Sequence, residues 1–118
     1  SRYLTCHSIA IEKEYSSTKK KLFALIDSYM ERPDIEDQLK QELIALKGGV
    51  RNLERLSKNY AQEECYISLY GNGGSMEAFN HSSCTLNHKK HSLTLLKNLL
   101  AQCGENPPGG EERLCAAF

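Results

Sequence analysis

The chain has 118 residues, which is enough for one domain of ordinary size and too few for two. Its 15 basic residues balance 15 acidic residues, so the overall charge does not favour nucleic acid or an anionic membrane surface as a partner. Hydrophobic residues make up 40% of the sequence, a share that is typical of a globular protein and excludes a disordered one. Apolar runs such as Leu22–Ile26 are far shorter than the ~20 residues of a membrane span, so we expect no membrane insertion.

The first predicted element is an amphipathic helix from Ser8 to Glu31. Its apolar residues recur at intervals of three or four, which is the spacing of one helix face. They are Ile11, Tyr15, Leu22, Leu25, Ile26 and Tyr29, with Thr18 filling the gap in the same stripe. Pro33 ends this helix, because proline lacks a backbone N–H and disfavours helical geometry at the residue before it.

A second helical stripe begins after the proline, where the Asp34 carboxylate is suited to cap the first backbone N–H groups. Its apolar residues are Ile35, Leu39, Leu43, Leu46, Val50, Leu53, Leu56 and Tyr60. Gly48-Gly49 interrupts the stripe and costs about 1–2 kcal/mol relative to two alanines in a continuous helix. The glycine pair is therefore either a kink within one helix or a turn between two. We predict two helices, near 34–47 and 50–64.

The second half of the sequence is less regular. Cys65 to Tyr70 alternates apolar and polar residues, so it is a short extended segment or the frayed end of a helix, and residues 71–75 are a glycine-rich loop. A last helix is expected from Thr85 to Cys103, and residues 103–118, with two prolines and two glycines at 107–110, form an extended C-terminal tail. The stripe of the last helix is Leu86, Leu93, Leu96, Leu99 and Leu100. The sequence therefore predicts one all-α domain over 1–118, packed as a small bundle.

The cysteine content indicates an oxidising compartment. None of the five cysteines forms a Cys-x-x-Cys pair, which argues against a zinc ribbon or a thioredoxin-type motif. Their wide separation suits disulfides between distant segments and hence a secreted protein, although buried thiols in a cytosolic protein are the alternative. An odd number leaves one cysteine free or paired with another chain, and the connectivity stays open. The five are Cys6, Cys65, Cys84, Cys103 and Cys115.

A glycosylation signal also favours an extracellular location. Asn80-His81-Ser82 is an N-glycosylation sequon, and it lies in a polar stretch where we expect an exposed loop. Together with the cysteines, it predicts a secreted glycoprotein.

A histidine-rich segment is the best metal candidate in the sequence. Its possible ligands are His81, Cys84, His88 and His91. His88 and His91 share a helix face, but the paired ligand spacing of known zinc motifs is missing, and Cys84 is better suited to a disulfide. We therefore predict no metal and no cofactor, and keep a zinc-dependent regulatory module only as a third class of function.

Catalysis and nucleic-acid binding have little support. Cys6 and His7 are adjacent, and neighbours in a helix do not face each other, so they do not suggest a nucleophile and its base. No glycine-rich phosphate loop follows a strand. The lysine clusters at 19–21 and 89–90 lack interleaved aromatic residues, so we interpret them as solvated helix faces. We predict no enzymatic activity. The class of function that remains is a protein that acts by binding another protein.

Four patterns carry a resemblance to a known family. Residues 68–73, the sequon at Asn80, and Cys84 ahead of Leu95-Leu96 are similar to the C–D loop and the start of the fourth helix in the short-chain four-helix cytokines. Leu25-Ile26-Asp27 resembles the aliphatic-aliphatic-acid motif in the first helix of that family. The chain most resembles the members that signal through the common gamma chain, the interleukin-2, -4, -7, -15 and -21 group.

The resemblance implies a disulfide-linked, short-chain four-helix bundle that joins receptor ectodomains and activates the kinases bound to them in immune signalling. The partners would be the common gamma chain and a private chain, with no catalysis by the ligand, and we expect a monomer. The implied receptor-binding residues are Lys20 and Asp27 in the first helix and Lys97, Ala101 and Gln102 in the last.

The resemblance also bears on the disulfides. Cys6 before the first helix and Cys103 or Cys115 after the last resemble the terminus-to-terminus bridge of interleukin-4 and interleukin-7. We therefore predict that Cys65 pairs with Cys84, which leaves Cys6 to pair with Cys103 or Cys115.

One feature departs from the family. These cytokines run up-up-down-down and need a long crossover after the first helix, whereas only residues 31–33 separate the first two stripes here, which is typical of antiparallel neighbours. Either residues 32–49 form the crossover or the topology differs. The alternative function is a secreted helical protein that holds a lipid or another small ligand in a cavity.

Overall fold

The computed structural model describes the backbone of residues 2–72 and 77–104, and all of its regular structure is helical. Three helices follow one another along the chain: α1 (Arg2–Met30), α2 (Asp37–Asn72) and α3 (Glu77–Gly104). No strand occurs among the described residues. The prediction of an all-helical fold is confirmed for these residues, but they form three helices, so the predicted four-helix bundle is not. Residues 105–118, which include most of the predicted tail and Cys115, lie outside the described part.

The start of α1 is earlier than the sequence predicts, at Arg2 instead of Ser8. Leu4 is buried and lies one heptad before Ile11, so it extends the apolar stripe toward the N-terminus. The end of α1 is where Pro33 predicts it. There the Glu31 N–H donates to the Asp27 carbonyl at 3.0 Å, and the Arg32 guanidinium lies 5.2 Å from the centre of the Tyr29 ring.

The second helix is one continuous element of 36 residues, about 54 Å long. The predicted division at Gly48-Gly49 is wrong, because Leu43 before the glycines and Val50 after them bury against the same core. Burying these side chains outweighs the intrinsic cost of the two glycines. The predicted extended segment at 65–70 is likewise helical.

Replacing Gly48 and Gly49 by alanine is expected to stabilise the protein. A Cβ added at either position meets nothing within 4 Å, and neither glycine has a positive φ, so alanine fits without strain. Each substitution should add about 0.5–1 kcal/mol to the free energy of unfolding, because alanine loses less backbone entropy in a helix. Urea unfolding followed by circular dichroism measures this. A destabilised double variant would show that α2 bends at the glycines in solution.

The helices run up, down and up. Lys19 of α1 contacts Glu54 of α2 at 3.0 Å, and Asp27, further along α1, contacts Lys47, which comes earlier in α2, at 2.7 Å. The two helices are therefore antiparallel. The short connection predicts this arrangement, and no crossover forms at 32–49. The disulfide from α2 to α3 and the Tyr60–His88 ring contact show that these two helices are also antiparallel.

The third helix packs along both of the others, whereas α1 and α2 contact each other much less. The molecule is accordingly elongated, measuring 61 × 23 × 17 Å. Its core consists of Leu22, Ile26, Tyr29, Leu43, Val50, Leu96 and Cys103. Thr18 is buried on the same α1 face, and its hydroxyl donates to the Glu14 carbonyl at 2.7 Å, which satisfies the polar group inside the helix.

The cysteines differ in part from the prediction. Cys65 and Cys84 form a disulfide, with 5.6 Å between their Cα atoms, and closing a loop of this size stabilises a fold by about 3 kcal/mol. Cys103 is also disulfide-bonded. Cys6 is a free, exposed thiol, so the predicted bridge from Cys6 does not form. The reason is its position: Cys6 follows the buried Leu4 by two residues, so it points about 160° away from it around the helix.

The sequon is the other correction. Asn80, His81 and Ser82 lie in the first turns of α3 and not in a loop, since α3 begins at Glu77 instead of Thr85. None of the described helices has an apolar stretch of the length and hydropathy that crossing a membrane requires.

Candidate functional site

A strip of large apolar side chains lies exposed along α2. We define the α2 strip as Leu53, Leu56, Tyr60 and Ile67, whose exposed fractions are 53%, 54%, 64% and 66%. Their spacing of three, four and seven residues places them on one helix face, over about 21 Å. This face is rotated by about 100° from the one that buries Leu43 and Val50. The strip is therefore additional to the core.

The strip continues onto α3 through one residue. The ring of Tyr60 meets the ring of His88 edge-on at 5.7 Å between centroids. Because α2 and α3 are antiparallel, the residue seven positions before Tyr60 lies opposite the residue seven positions after His88. These residues are Leu53 and Leu95. Leu95 is 44% exposed, so an apolar surface spans the seam between α2 and α3.

A hydrogen bond and a ring contact fix the orientation of Tyr60. Its hydroxyl donates to the Glu64 carboxylate one turn later, which raises the pKa of Tyr60 and lowers the pKa of Glu64. The same carboxylate lies 3.3 Å from Nε2 of His88. The largest side chain of the strip is thus held on two sides while most of its surface stays exposed, which reduces the entropy that it would lose on binding a partner.

An open groove of about 610 Å³ lies on another face of the bundle, between all three helices. Its apolar wall includes Ile11, Tyr15 and Ala61. The groove exists because Ser57 and Ala61, which continue the core-facing side of α2, are small and leave the space between α1 and α2 unfilled.

Ion pairs line the rim of this groove. Glu54 accepts hydrogen bonds from Lys19 at 3.0 Å and from Lys58 at 3.4 Å. Burial alone would raise the pKa of Glu54, but the hydrogen bonds and charges of the two lysines outweigh it and lower the pKa. The phenol of Tyr15 has a raised pKa, chiefly because it is partly buried and also because the Glu54 charge is close.

Replacing Glu54 by glutamine is expected to destabilise the protein at neutral pH, by about 1 kcal/mol or less because the group is partly exposed to solvent. The carboxylate has a lower pKa in the folded state, so its contribution is present above the unfolded-state pKa and is lost as the pH falls through the folded-state pKa. The difference between wild type and variant should therefore disappear in acid. Urea unfolding at a series of pH values tests this, and a difference that persists at the lowest pH would contradict it.

The predicted receptor-binding residues of α1 lie on one side of the helix. Lys20 and Asp27 are seven residues apart and share a face. Asp27 forms an ion pair with Lys47 of α2, and 47% of its side chain stays exposed. Lys20 is exposed.

The predicted receptor-binding residues of α3 do not all share a face. Lys97 and Ala101 lie one turn apart on the same side, and Lys97 forms an ion pair with Glu14 of α1. Gln102 is exposed but points about 140° away from Lys97 around the helix. The receptor roles of these residues stay predictions.

The histidine-rich segment forms a different cluster from the one that the sequence suggests. The side chains that approach one another are those of Cys65, Cys84 and His88, whose ligand atoms lie within 4.8 Å of one another. His81 and His91 do not belong to this cluster. The metal candidate in the sequence left out Cys65, although the predicted Cys65–Cys84 disulfide places it beside Cys84 and hence near His88, one turn further along α3.

The comparisons with known proteins identify no relative: no family model, no curated protein and no solved structure matches the chain. The resemblance to short-chain cytokines therefore stays a prediction, carried by the sequence patterns alone.

Proposed function

We propose that the protein is a secreted ligand of the helical cytokine type, which binds receptor ectodomains through exposed helix faces and has no catalytic activity. The observation that supports this most directly is the α2 strip with Leu95. Small soluble proteins rarely expose a continuous row of large apolar side chains unless another molecule covers it. Leucine and tyrosine side chains at the centre of such a row are suited to fill pockets on a partner protein.

The charges near the strip favour a protein partner over a lipid surface. Glu63 and Glu64 flank its C-terminal half, and the chain has no net charge that would attract it to anionic lipid. An apolar receptor surface with basic residues at its edge would match both the strip and these carboxylates.

A ligand that joins two receptor chains needs two contact surfaces. The face of α1 that carries Lys20 and Asp27 is a candidate for the second, and so is the side of α3 with Lys97 and Ala101. In this proposal one surface binds the common gamma chain and another binds a private chain. The full short-chain bundle would require a fourth helix in addition to the three that the described residues form.

Binding to living cells tests the proposal. The glycosylated chain, labelled at the exposed Cys6 thiol, should bind immune cells saturably and be displaced by unlabelled chain. Crosslinking on the cell surface should then recover a receptor ectodomain, and receptor-associated kinases should become phosphorylated. Binding that does not saturate on any immune cell type would refute the proposal.

A small-ligand carrier is the second candidate, and the groove is the observation that favours it. Its volume of about 610 Å³ is within the range of sites that bind drug-sized molecules. Native mass spectrometry of the secreted chain should then show a retained apolar molecule. Ala61→Phe, which fills the groove, should release that molecule, whereas a chain purified without any bound ligand would count against this function.

A further inference from the structure

We propose that Cys65, Cys84 and His88 form a zinc site when the disulfide is reduced, so that the metal and the S–S bond are alternative links between α2 and α3. In this cluster two sulfurs and one imidazole nitrogen lie within 4.8 Å of one another. Cysteine sulfur and histidine nitrogen are the ligands that Zn²⁺ prefers. This proposal does not depend on receptor binding.

The helices bring the ligands to the spacing that zinc requires. Cys84 and His88 lie one turn apart on the same side of α3, and Cys65 faces them from α2 with 5.6 Å between the two cysteine Cα atoms. Ligand atoms bound to one tetrahedral zinc ion lie about 3–4 Å apart, given metal–ligand distances of about 2.0–2.3 Å. Once the S–S bond is broken, side-chain rotation alone can open the sulfurs to this distance.

The surroundings of His88 favour a metal ligand. Its Nε2 lies 3.3 Å from Glu64 Oε1, so the neutral ring can donate its Nε2 proton to the carboxylate and leave Nδ1 to bind the metal. A carboxylate in this position orients a ligating histidine and increases its basicity. Tyr60 holds the ring from another side, at 5.7 Å between centroids.

The degree of burial also fits a metal site. Cys65 is fully buried, whereas Cys84 and His88 are only partly buried. Solvent can therefore reach one side of the cluster, where a water molecule would take the fourth coordination position left by three protein ligands.

The exchange balances in two steps. A dithiol reductant transfers two electrons and two protons to the Cys65–Cys84 disulfide, which becomes two thiols while the reductant becomes a disulfide. Zn²⁺ then binds the two sulfurs as thiolates and His88 as the neutral ring, and two protons are released. In a reducing environment the metal would hold α2 to α3 in place of the covalent bond.

The test uses the full chain, reduced anaerobically, with Co²⁺ as a spectroscopic probe and Zn²⁺ as its competitor. We expect one equivalent of Co²⁺ to give the sulfur-to-cobalt charge-transfer band and the visible bands of a tetrahedral site, and Zn²⁺ to remove them. His88→Ala should weaken binding by at least 100-fold, and Glu64→Gln by about 10- to 100-fold, the range seen when the partner of a ligating histidine is removed. The matched control is His91→Ala, one turn further along α3 and outside the cluster.

Three results would overturn the proposal. They are the absence of a charge-transfer band in the reduced wild type, equal zinc affinity in His88→Ala and wild type, and full affinity in the Cys65→Ser, Cys84→Ser double variant. Thermal unfolding of the reduced chain gives a second measurement. Zinc should raise the melting temperature of the reduced wild type and of His91→Ala, and an equal rise in His88→Ala would assign the metal to other residues.

Discussion

The Leu56→Lys variant should lose receptor binding while it keeps its fold. Leu56 lies within the α2 strip and is 54% exposed, so a lysine there stays solvated in the free protein and has nearly the helix propensity of leucine. In the complex the same ammonium group would be buried against an apolar surface without a partner. We expect a loss of at least 2 kcal/mol in binding, which is about 30-fold in the dissociation constant.

The matched control is Gln62→Lys, which makes the same change of charge on α2. Gln62 is exposed and points about 150° away from the centre of the strip. Both variants should unfold in urea within about 0.5 kcal/mol of wild type, because neither changes the core. If Leu56→Lys binds cells as tightly as wild type, the strip is not a receptor contact. If only Gln62→Lys loses binding, the groove is the contact instead.

The strip shows where sequence reasoning succeeds and where it stops. Helical spacing places Leu43, Val50, Leu53 and Leu56 in one stripe, and the first two are indeed core residues. From Leu53 to Tyr60, however, the large apolar residues turn away from the core, and the partly buried Glu54 and Ser57 continue its core-facing side. Residues seven apart share a helix face, and the residue seven positions after the buried Val50 is the small, polar Ser57. This spacing would have separated the strip from the core in the sequence.

The helix boundaries depended on tertiary packing that no local pattern contains. The cost of Gly48-Gly49 is a property of the isolated helix, whereas the burial of Leu43 and Val50 on either side belongs to the folded protein. The cysteine–histidine cluster could have been predicted, because the expected Cys65–Cys84 disulfide brings Cys65 to the side of α3 on which His88 lies one turn later. Short-range features were more predictable, and Pro33 predicts the end of α1 to within a few residues.

Leu22→Ala is expected to have the largest effect on stability. Leu22 has no exposed surface and packs within the core that also contains Ile26 and Leu96. Removing its side chain leaves a cavity that the helices can only partly fill, at a cost of about 3–5 kcal/mol. Domains of this size have about 5–15 kcal/mol of stability in total, so the melting temperature should fall by roughly 10–20 °C.

Leu53→Ala is the control, because it makes the same chemical change at a leucine that is 53% exposed. Its free energy of unfolding should fall by about 1 kcal/mol or less, well below the loss at Leu22, because about half of Leu53 stays exposed in the folded protein. For receptor binding we expect the opposite ranking of the two variants. Leu53→Ala should weaken receptor binding, whereas Leu22→Ala, measured below its melting temperature, should bind with nearly wild-type affinity. Equal destabilisation by the two variants in urea would show that the strip is packed in solution, and that the protein has no free apolar surface to offer a receptor.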